Sequence, residues 1–267
     1  MKPPAYKILR RLAPAAAALL LAACATVPPN AGNNPRDPFE RVNRQVFEFN
    51  DRFDRYFVKP VAEGYVAVVP KAFRLCINSG FSNLLEIRNA VNDILQAKPL
   101  GAATDTGRLA INSTLGVFGC FDVAKRMGLE YRGEDFGLTL ARWGVGTGPY
   151  VVLPVLGPSD ARDAIGLVPD TFLNPINYVT PMHDRYILIG ANLIDTRAEL
   201  LDATRLIEQA ALDRYQFTRD AYFQLRTSKQ YEGNPPPPAE EDDSGESGPA
   251  PTGTKQQPVQ PSPEDRR

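Results

Sequence analysis

The thiol of Cys24 sits behind Leu21-Ala22-Ala23, at the end of a short apolar run from Leu12 that follows Lys2, Lys7, Arg10 and Arg11. A basic start, an apolar stretch too short to cross a bilayer and small residues at its end mark a cleavable bacterial signal. The small neighbours matter because a processing peptidase must seat them while the thiol receives a diacylglyceryl group. Residues 1–23 therefore read as a signal and Cys24 as a lipid anchor, the alternative being an ordinary signal peptide with a chance cysteine. Each buried acyl methylene contributes roughly 0.8 kcal/mol, so the several chains of a bacterial lipoprotein would hold it stably. Ala25, rather than Asp, follows the cysteine. In a Gram-negative cell that points to the outer membrane, with the protein lipid-anchored on the periplasmic face.

Elsewhere, residues that do covalent chemistry are sparse. His183 is the single histidine, so a histidine-based triad or metal cluster would have to pass through it, and its neighbours Pro181, Met182 and Asp184 supply no nucleophile. There is no Gly-x-Ser-x-Gly elbow, and Gly157-Pro158-Ser159-Asp160 does not imitate one. The run Gly144-Val145-Gly146-Thr147-Gly148-Pro149 has the look of a phosphate loop but lacks lysine and leads to Pro154 rather than a helix. Asp160, Arg162 and Asp163 suit a capped, salt-bridged helix start better than a catalytic pair, and Glu240 to Asp243 a solvated tail better than a cation site. The expectation is a protein with no catalytic residues, no metal and no cofactor.

The elements that carry these residues read as helices. Asp37, Pro38 and Glu40 form an Asp-x-x-Glu variant of the capping box. Phe39, Val42, Val46, Phe49, Phe53 and Tyr56 then recur at spacings of three and four, widened by Phe47 and Phe57, with Lys59-Pro60 as the stop. Such a helix either faces the core of a soluble bundle or lies in a bilayer interface, where a Phe-rich face beside arginines also belongs. A second helix is expected over Ser82 to Ala97, with Leu84, Leu85, Ile87, Val91, Ile94 and Leu95 apolar. A third covers Ala102 to Thr114, and two long segments fill His183 to Arg226. Val151-Val152-Leu153, between Pro149 and Pro154, suits a hairpin or loop better than a central strand. The fold class expected is all-α.

Charge and composition divide the chain. Without the four basic residues of the signal, 26 basic face 31 acidic residues. The tail from Tyr231 holds eight acids and three bases, so it accounts for the whole excess and leaves the body neutral. No basic stripe suggests nucleic acid. The Pro-rich acidic tail 231–267 cannot bury enough apolar surface to order itself, and 24–36 reads as a tether. One domain remains, 37–230, long enough for a real core and without an apolar stretch that would cross a membrane. Cys76 and Cys120 either pair in an oxidising compartment or stay as two buried thiols.

Several motifs together carry a resemblance. They are Asp37-Pro38-Phe39-Glu40 with Asn43-Arg44, Phe47-Glu48-Phe49-Asn50, and Asn112-Ser113-Thr114-Leu115-Gly116-Val117-Phe118-Gly119. They continue with Asp135-Phe136-Gly137, Trp143-Gly144-Val145-Gly146, the run Gly148 to Ser159, Asp213-Arg214-Tyr215 and Arg219-Asp220-Ala221-Tyr222. In this order, over about Asp37 to Gly233, the chain resembles the MlaA (VacJ) family of outer-membrane lipoproteins. It departs at Cys120, where the family usually has a bulkier apolar residue, at Leu138, where Gln is common, and at Ala141-Arg142, where Gly is frequent.

The resemblance implies a ring of amphipathic helices in the inner leaflet of the outer membrane, surrounding an amphipathic channel and bound to trimeric porins. In the family, phospholipids misplaced in the outer leaflet enter the channel and pass to the periplasmic carrier MlaC, with no chemistry involved. On this reading Phe47, Phe49 and Asn50 of the first helix, and Gly144, Gly146, Gly148, Tyr150, Val151, Val152 and Leu153 of the hairpin, are the channel candidates. The competing readings are a structural porin-associated lipoprotein and an envelope lipid hydrolase.

Overall fold

The computed structural model describes Pro28 and residues 31–236. The signal over 1–23, the anchor Cys24 and the tail from residue 237 lie outside the described residues. Helix α1 (Glu40–Phe53) passes through a π-helical turn (Asp54–Val58) into α2 (Lys59–Val68). Next come α3 (Lys71–Leu95) and α4 (Pro99–Thr114), which pack along one another, and the short α5 (Val123–Arg126) and α6 (Phe136–Arg142). Strands β1 (Tyr150–Leu153) and β2 (Gly157–Asp160) precede α7 (Ala161–Leu173) and a 3-10 turn (Pro175–Tyr178). Three helices close the body: α8 (Met182–Glu199), α9 (Leu201–Ala210) and α10 (Arg214–Gln230).

The molecule is mostly helical, as its periodicity predicts, but several boundaries differ from those expected, α4 starting at Pro99 rather than Ala102. Asp37 caps nothing: its side chain is fully buried and accepts from Asn43 Nδ2 at 2.9 Å, Tyr215 OH at 2.6 Å and Arg219 Nη1 at 3.3 Å. Charged and phenolic donors hold a carboxylate more strongly than a helix amide does, so α1 starts at Glu40 without a side-chain cap. Lys59-Pro60 is not a stop. The Lys59 amide reaches back five residues to Asp54, and this wide turn carries the chain past the proline, which sits in the first turn of α2 where its missing N–H costs nothing. Helix α3 begins eleven residues before Ser82, and the last segment is three helices rather than two, broken at Leu200 and at Ala211–Asp213.

Val151-Val152-Leu153 does form a strand, paired antiparallel with Gly157–Asp160 in the register Tyr150↔Asp160 to Leu153↔Gly157. The flanking prolines are tolerated because each strand of a two-stranded ribbon is an edge. Close crossing of α6 and α7 depends on glycine: a Cβ on Gly166 would lie 2.6 Å from the Gly137 nitrogen. Cys76 and Cys120 are disulfide-bonded, fixing α3 to the loop after α4.

What the helices bury is the unexpected part. On α3 the buried side chains are Asn83, Glu86, Asn89, Asn92 and Asp93, and on α4 they include Asp105, Arg108 and Asn112. The buried apolar clusters are small, one of Ala62, Ala198 and Leu201 and one of Tyr150, Val152 and Tyr215. The large apolar residues are outside: Phe39, Val42, Tyr56 and Phe57 at the first helical segment, Phe73, Leu75 and Ile94 on α3, then Leu100 and the Leu115–Phe121 turn. Phe118 is 88% exposed and Leu100 83%. Large apolar side chains exposed on so many successive elements are what a membrane or partner contact requires. Among the described residues, no helix is long and apolar enough to cross a membrane.

Candidate functional site

Two asparagines seven residues apart on α1 hold the hairpin by its backbone. Asn43 donates from Nδ2 to the Tyr150 carbonyl at 3.0 Å and accepts the Val152 amide on Oδ1 at 3.0 Å. Asn50 repeats the pattern one step along, donating to the Leu153 carbonyl at 2.9 Å and accepting the Val155 amide at 2.7 Å. A side-chain amide has one donor edge and one acceptor edge, as a peptide group does. The helix therefore completes the outer edge of β1 in place of a third strand, helped by the Tyr150 amide donating to the Arg36 carbonyl at 2.9 Å. Val155, at the hairpin tip, has φ of 66°, a left-handed conformation that costs a β-branched residue, and Asn50 holds it there.

Under the hairpin lies an aromatic cluster. Tyr150 is fully buried, with ring centroids 6.2 Å from Tyr215, 5.8 Å from Tyr222 and 5.5 Å from Phe223. Phe47 meets Tyr215 edge to face at 5.6 Å. Hydroxyls at the edge of the cluster are bonded to acids: Tyr215 to Asp37, and Tyr222 to Asp160 at 3.0 Å and Asp163 at 2.6 Å. Burial, reinforced by these carboxylates, pushes both phenols well above their ordinary range. Burial also raises Tyr150, whose hydroxyl has no partner among the described residues.

The rest of the interior is an ionic network between α3, α4 and the following loop. Glu86 accepts from Arg108 Nε at 2.5 Å and from Asn89 at 3.1 Å, while Arg108 also reaches Asp122 at 3.0 Å and the Leu129 carbonyl. Burial still holds Glu86 above its usual value, against the pull of Arg108 and Asn89. Asp93 and Asp105, both fully buried, share the Arg132 guanidinium. Burial and the hydrogen bond to Asp105 raise Asp93 to about 7. Farther along, burial works against ionisation of Asp135, yet two hydrogen bonds from Arg226, at 2.6 and 3.0 Å, carry it below its ordinary value. Buried charges of this number persist only when paired, and apolar packing would stabilise as well. What the pairing secures is an interior of helices whose apolar sides are free to face outward.

The structure brings Phe47, Asn50, Tyr150, Val151, Val152 and Leu153 together where α1 meets the hairpin. Tyr150 and Val152 point into the aromatic cluster, whereas Val151 and Leu153 lie on the half-exposed side of β1. Phe49 stacks on Phe53 at 6.4 Å, and Phe53 on Phe57 at 5.5 Å, away from Phe47 on the helix surface. Gly144, Gly146 and Gly148 form an exposed approach to β1, with φ of 91° at Gly144 and 71° at Gly148. Its start is fixed by Trp143, whose indole donates to the Leu95 carbonyl at 2.9 Å. His183 is exposed and pairs with Asp184 at 2.8 Å. Asp160 caps α7 by accepting the Asp163 amide at 2.8 Å, the role its spacing suggests.

Sequence reading missed Asn43 as a clamp, the acceptor role of Asp37, and the polar stripe of α3. A signal existed for the last: Asn83, Glu86, Asn89, Asn92, Asp93 and Gln96 recur at helical spacing. Periodicity shows that such a helix has two faces but not which one is turned inward.

The family model for the MlaA lipoprotein matches residues 35–229. The Intermembrane phospholipid transport system lipoprotein MlaA of Escherichia coli strain K12 is 37% identical over 194 residues, covering 70% of this chain and 76% of its own. Its counterpart of the same name in Haemophilus influenzae is 31% identical over 193 residues, covering 70% of this chain and 76% of its own. An uncharacterized protein of Rickettsia bellii is 36% identical over 200 residues, covering 74% of this chain and 78% of its own. A solved structure concerned with the structural basis for maintenance of bacterial outer membrane lipid asymmetry superposes with a TM-score of 0.62 at 35% identity, covering 74% of this chain and 99% of that one. By its motifs, its inverted helices and these matches, the chain belongs to the MlaA lipoprotein family.

Proposed function

We propose that this protein removes mislocalised phospholipids from the outer leaflet of the outer membrane and passes them to a periplasmic carrier, so keeping that membrane asymmetric. The observation that carries the reading is the inverted polarity of the helices, with large apolar side chains outside and amides and paired ions inside. Such a body rests stably with its outer surface in acyl chains, and a lipid crossing it would find polar groups for its headgroup away from the hydrocarbon. Relatives named as intermembrane phospholipid transport lipoproteins support the same reading. Acylation at Cys24 after removal of 1–23 would hold the body at the periplasmic face of the outer membrane, with 24–36 as tether. Residues 37–230 form the working domain, and 231–267 a Pro-rich acidic tail.

In this proposal the path is bordered by Phe47, Phe49 and Asn50 of α1 and by Gly144, Gly146, Gly148 and Tyr150 to Leu153. Val151, Leu153 and Phe49 meet acyl chains, while Tyr150 and Val152 form the rigid backing that Asn43 and Asn50 secure. The partners are trimeric porins beside the outer belt and the periplasmic carrier MlaC on the aqueous side. Transport needs no bond to be made or broken. A strain lacking the gene should accumulate outer-leaflet phospholipid and become detergent-sensitive, and the wild-type gene should reverse both. Normal asymmetry in the deletion strain would overturn the proposal. Lipid hydrolysis by the purified protein would favour the hydrolase alternative, and loss of porin trimers without lipid misplacement the purely structural one.

A further inference from the structure

The segment ahead of α1 is folded against the body by its own backbone. The Ala31 amide donates to the Pro28 carbonyl at 3.0 Å, and the Gly32 amide to Glu40 Oε2 at 3.2 Å. Gly32 turns there with φ of 92°, and a Cβ would stand 3.4 Å from the Pro38 carbonyl, so the position suits glycine. The Asp37 amide donates to the Asn34 carbonyl at 2.9 Å, and the Arg36 guanidinium lies over the Phe223 ring, 5.8 Å from its centroid. Ala31 and Asp37 are buried and Pro28 is half-buried. Composition predicts a free tether over 24–36, yet this stretch has partners in the body.

Those partners lead to both sides of the candidate path. Glu40 holds the Gly32 amide on one oxygen and Arg44 Nε on the other, at 2.8 Å. Arg44 Nη2 in turn reaches Asp213 Oδ2 at 2.8 Å, and Asp213 caps α10. The Arg36 carbonyl accepts the Tyr150 amide at 2.9 Å, and Asp37 holds Tyr215 and Arg219. Pro28 itself borders a cleft of about 440 Å³, together with Phe47 of α1 and Leu212, Arg214 and Tyr215 at the start of α10. Leu212 is fully exposed there, and burial in hydrocarbon would stabilise it.

We propose that residues 28–37 form a docked strap that sets where the acyl chains of Cys24 enter the bilayer: beside the α1–α10 cleft, next to the hairpin. The inference rests on the reading of Cys24 as the anchor and adds to it a fixed place on the body. Cys24 lies four residues before Pro28, and four residues reach at most about 14 Å. A tether free as far as Asp37 would instead reach about 45 Å, roughly the diameter of a domain of this size, and would let any side of the body meet the anchor. Docked, the strap brings the candidate path, and not merely the protein, to the leaflet. Glu40 is its positioning residue, joining the strap to α1 and, through Arg44, to α10.

The test grows cells making the full-length protein on a palmitate analogue with a diazirine close to its carboxyl end. After irradiation of the membranes, mass spectrometry identifies the peptides joined through an acyl chain to the one bearing Cys24. In the wild type these should be the peptides containing Phe47 and Leu212, in preference to those containing Leu100, Phe118 and Ile165, which are apolar and exposed on other elements. Inserting about twenty Gly and Ser residues after Val27 should lower adducts at the cleft about tenfold, since effective concentration falls roughly as the −3/2 power of the link's length. Ala31→Asp combined with Gly32→Val undocks the strap without altering a helix and should spread the adducts in the same way. Even adducts over all five peptides in the wild type, adducts to lipid only, or adducts that stay at the cleft in either variant overturn the strap alone. A Cys24 peptide without label overturns the anchor reading with it.

Discussion

Replacing Asn43 with Leu keeps the volume at the α1–hairpin junction and removes every polar contact that side chain makes. Three partners lose it: the Tyr150 carbonyl, the Val152 amide and one oxygen of Asp37. Tyr215 and Arg219 both hold the other oxygen of Asp37, so the oxygen that Asn43 served is left bare, and the two backbone groups are buried with strand β1 and have no second partner on that edge. A buried polar group left unpaired costs about 1–3 kcal/mol, so the expected loss is about 3–5 kcal/mol, a large share of the roughly 5–15 kcal/mol that stabilises a domain. For a domain of this size that lowers Tm on the order of 10 °C. Asn50→Leu is the control. Its partners Leu153 and Val155 are half-exposed and exposed, so water can replace the amide and the loss should be about 1 kcal/mol. Thermal unfolding in detergent, followed by circular dichroism, measures both. Equal losses, or an Asn43→Leu protein within about 1 kcal/mol of the parent, would refute the idea that a helix side chain serves as the missing strand edge.

Cys24→Ala should abolish metabolic palmitate labelling, since no other residue offers the acylation site; persistent label would end the lipobox argument. Replacing Cys76 and Cys120 by Ser opens a cross-link between positions 44 residues apart, and loop-closure entropy puts the loss at up to about 4 kcal/mol, read from unfolding under non-reducing conditions. Asp93 carries the pH dependence. With its carboxyl raised from 3.8 to about 7, the folded state keeps a proton that the unfolded chain has released between about pH 4 and pH 7. Stability therefore falls as pH rises through that window and levels above it, the reverse of Asp122, Asp135 and Asp213, whose lowered values cost stability as pH falls. Asp93→Asn should raise Tm at pH 7.5 and change it little at pH 4.5; a gain of the same size at both would show that the Asp93 proton does not govern this slope.

Much of this architecture was legible in the residues, but its polarity was not. Helical spacing of Phe39, Val42, Val46, Phe49 and Phe53 marked α1, and the Gly and Pro run from Gly144 to Pro158 marked the hairpin. Helix boundaries failed where tertiary partners outbid local ones: Asp37 left its cap for Tyr215 and Arg219, and Pro60 was absorbed by a π-turn. The stripe Asn83 to Gln96 has the same period as Leu84 to Leu95 on α3, so the pattern alone allows either face to be the core. Only the long-range pairs, such as Glu86 with Arg108 and Asn92 with Asp170 at 3.2 Å, fix which side is inside. The candidate site was legible as motifs, whereas Asn43 and Asn50 acting on the same strand required the fold to place residues more than 100 positions apart.

The central claim is that the outer surface of these helices meets acyl chains. Spin labels on single cysteines at Leu100, Phe118 and Ile165, in a protein with Cys76 and Cys120 replaced and Cys24 acylated, would report it directly after reconstitution into phospholipid bilayers. All three positions are more than 60% exposed. Lipid contact requires fast relaxation by oxygen and little by a water-soluble nickel chelate at all three, with an exposed polar-side label at Asp202 showing the opposite. Nickel relaxation at Leu100, Phe118 and Ile165 as strong as at Asp202 would place that surface in water and contradict the account.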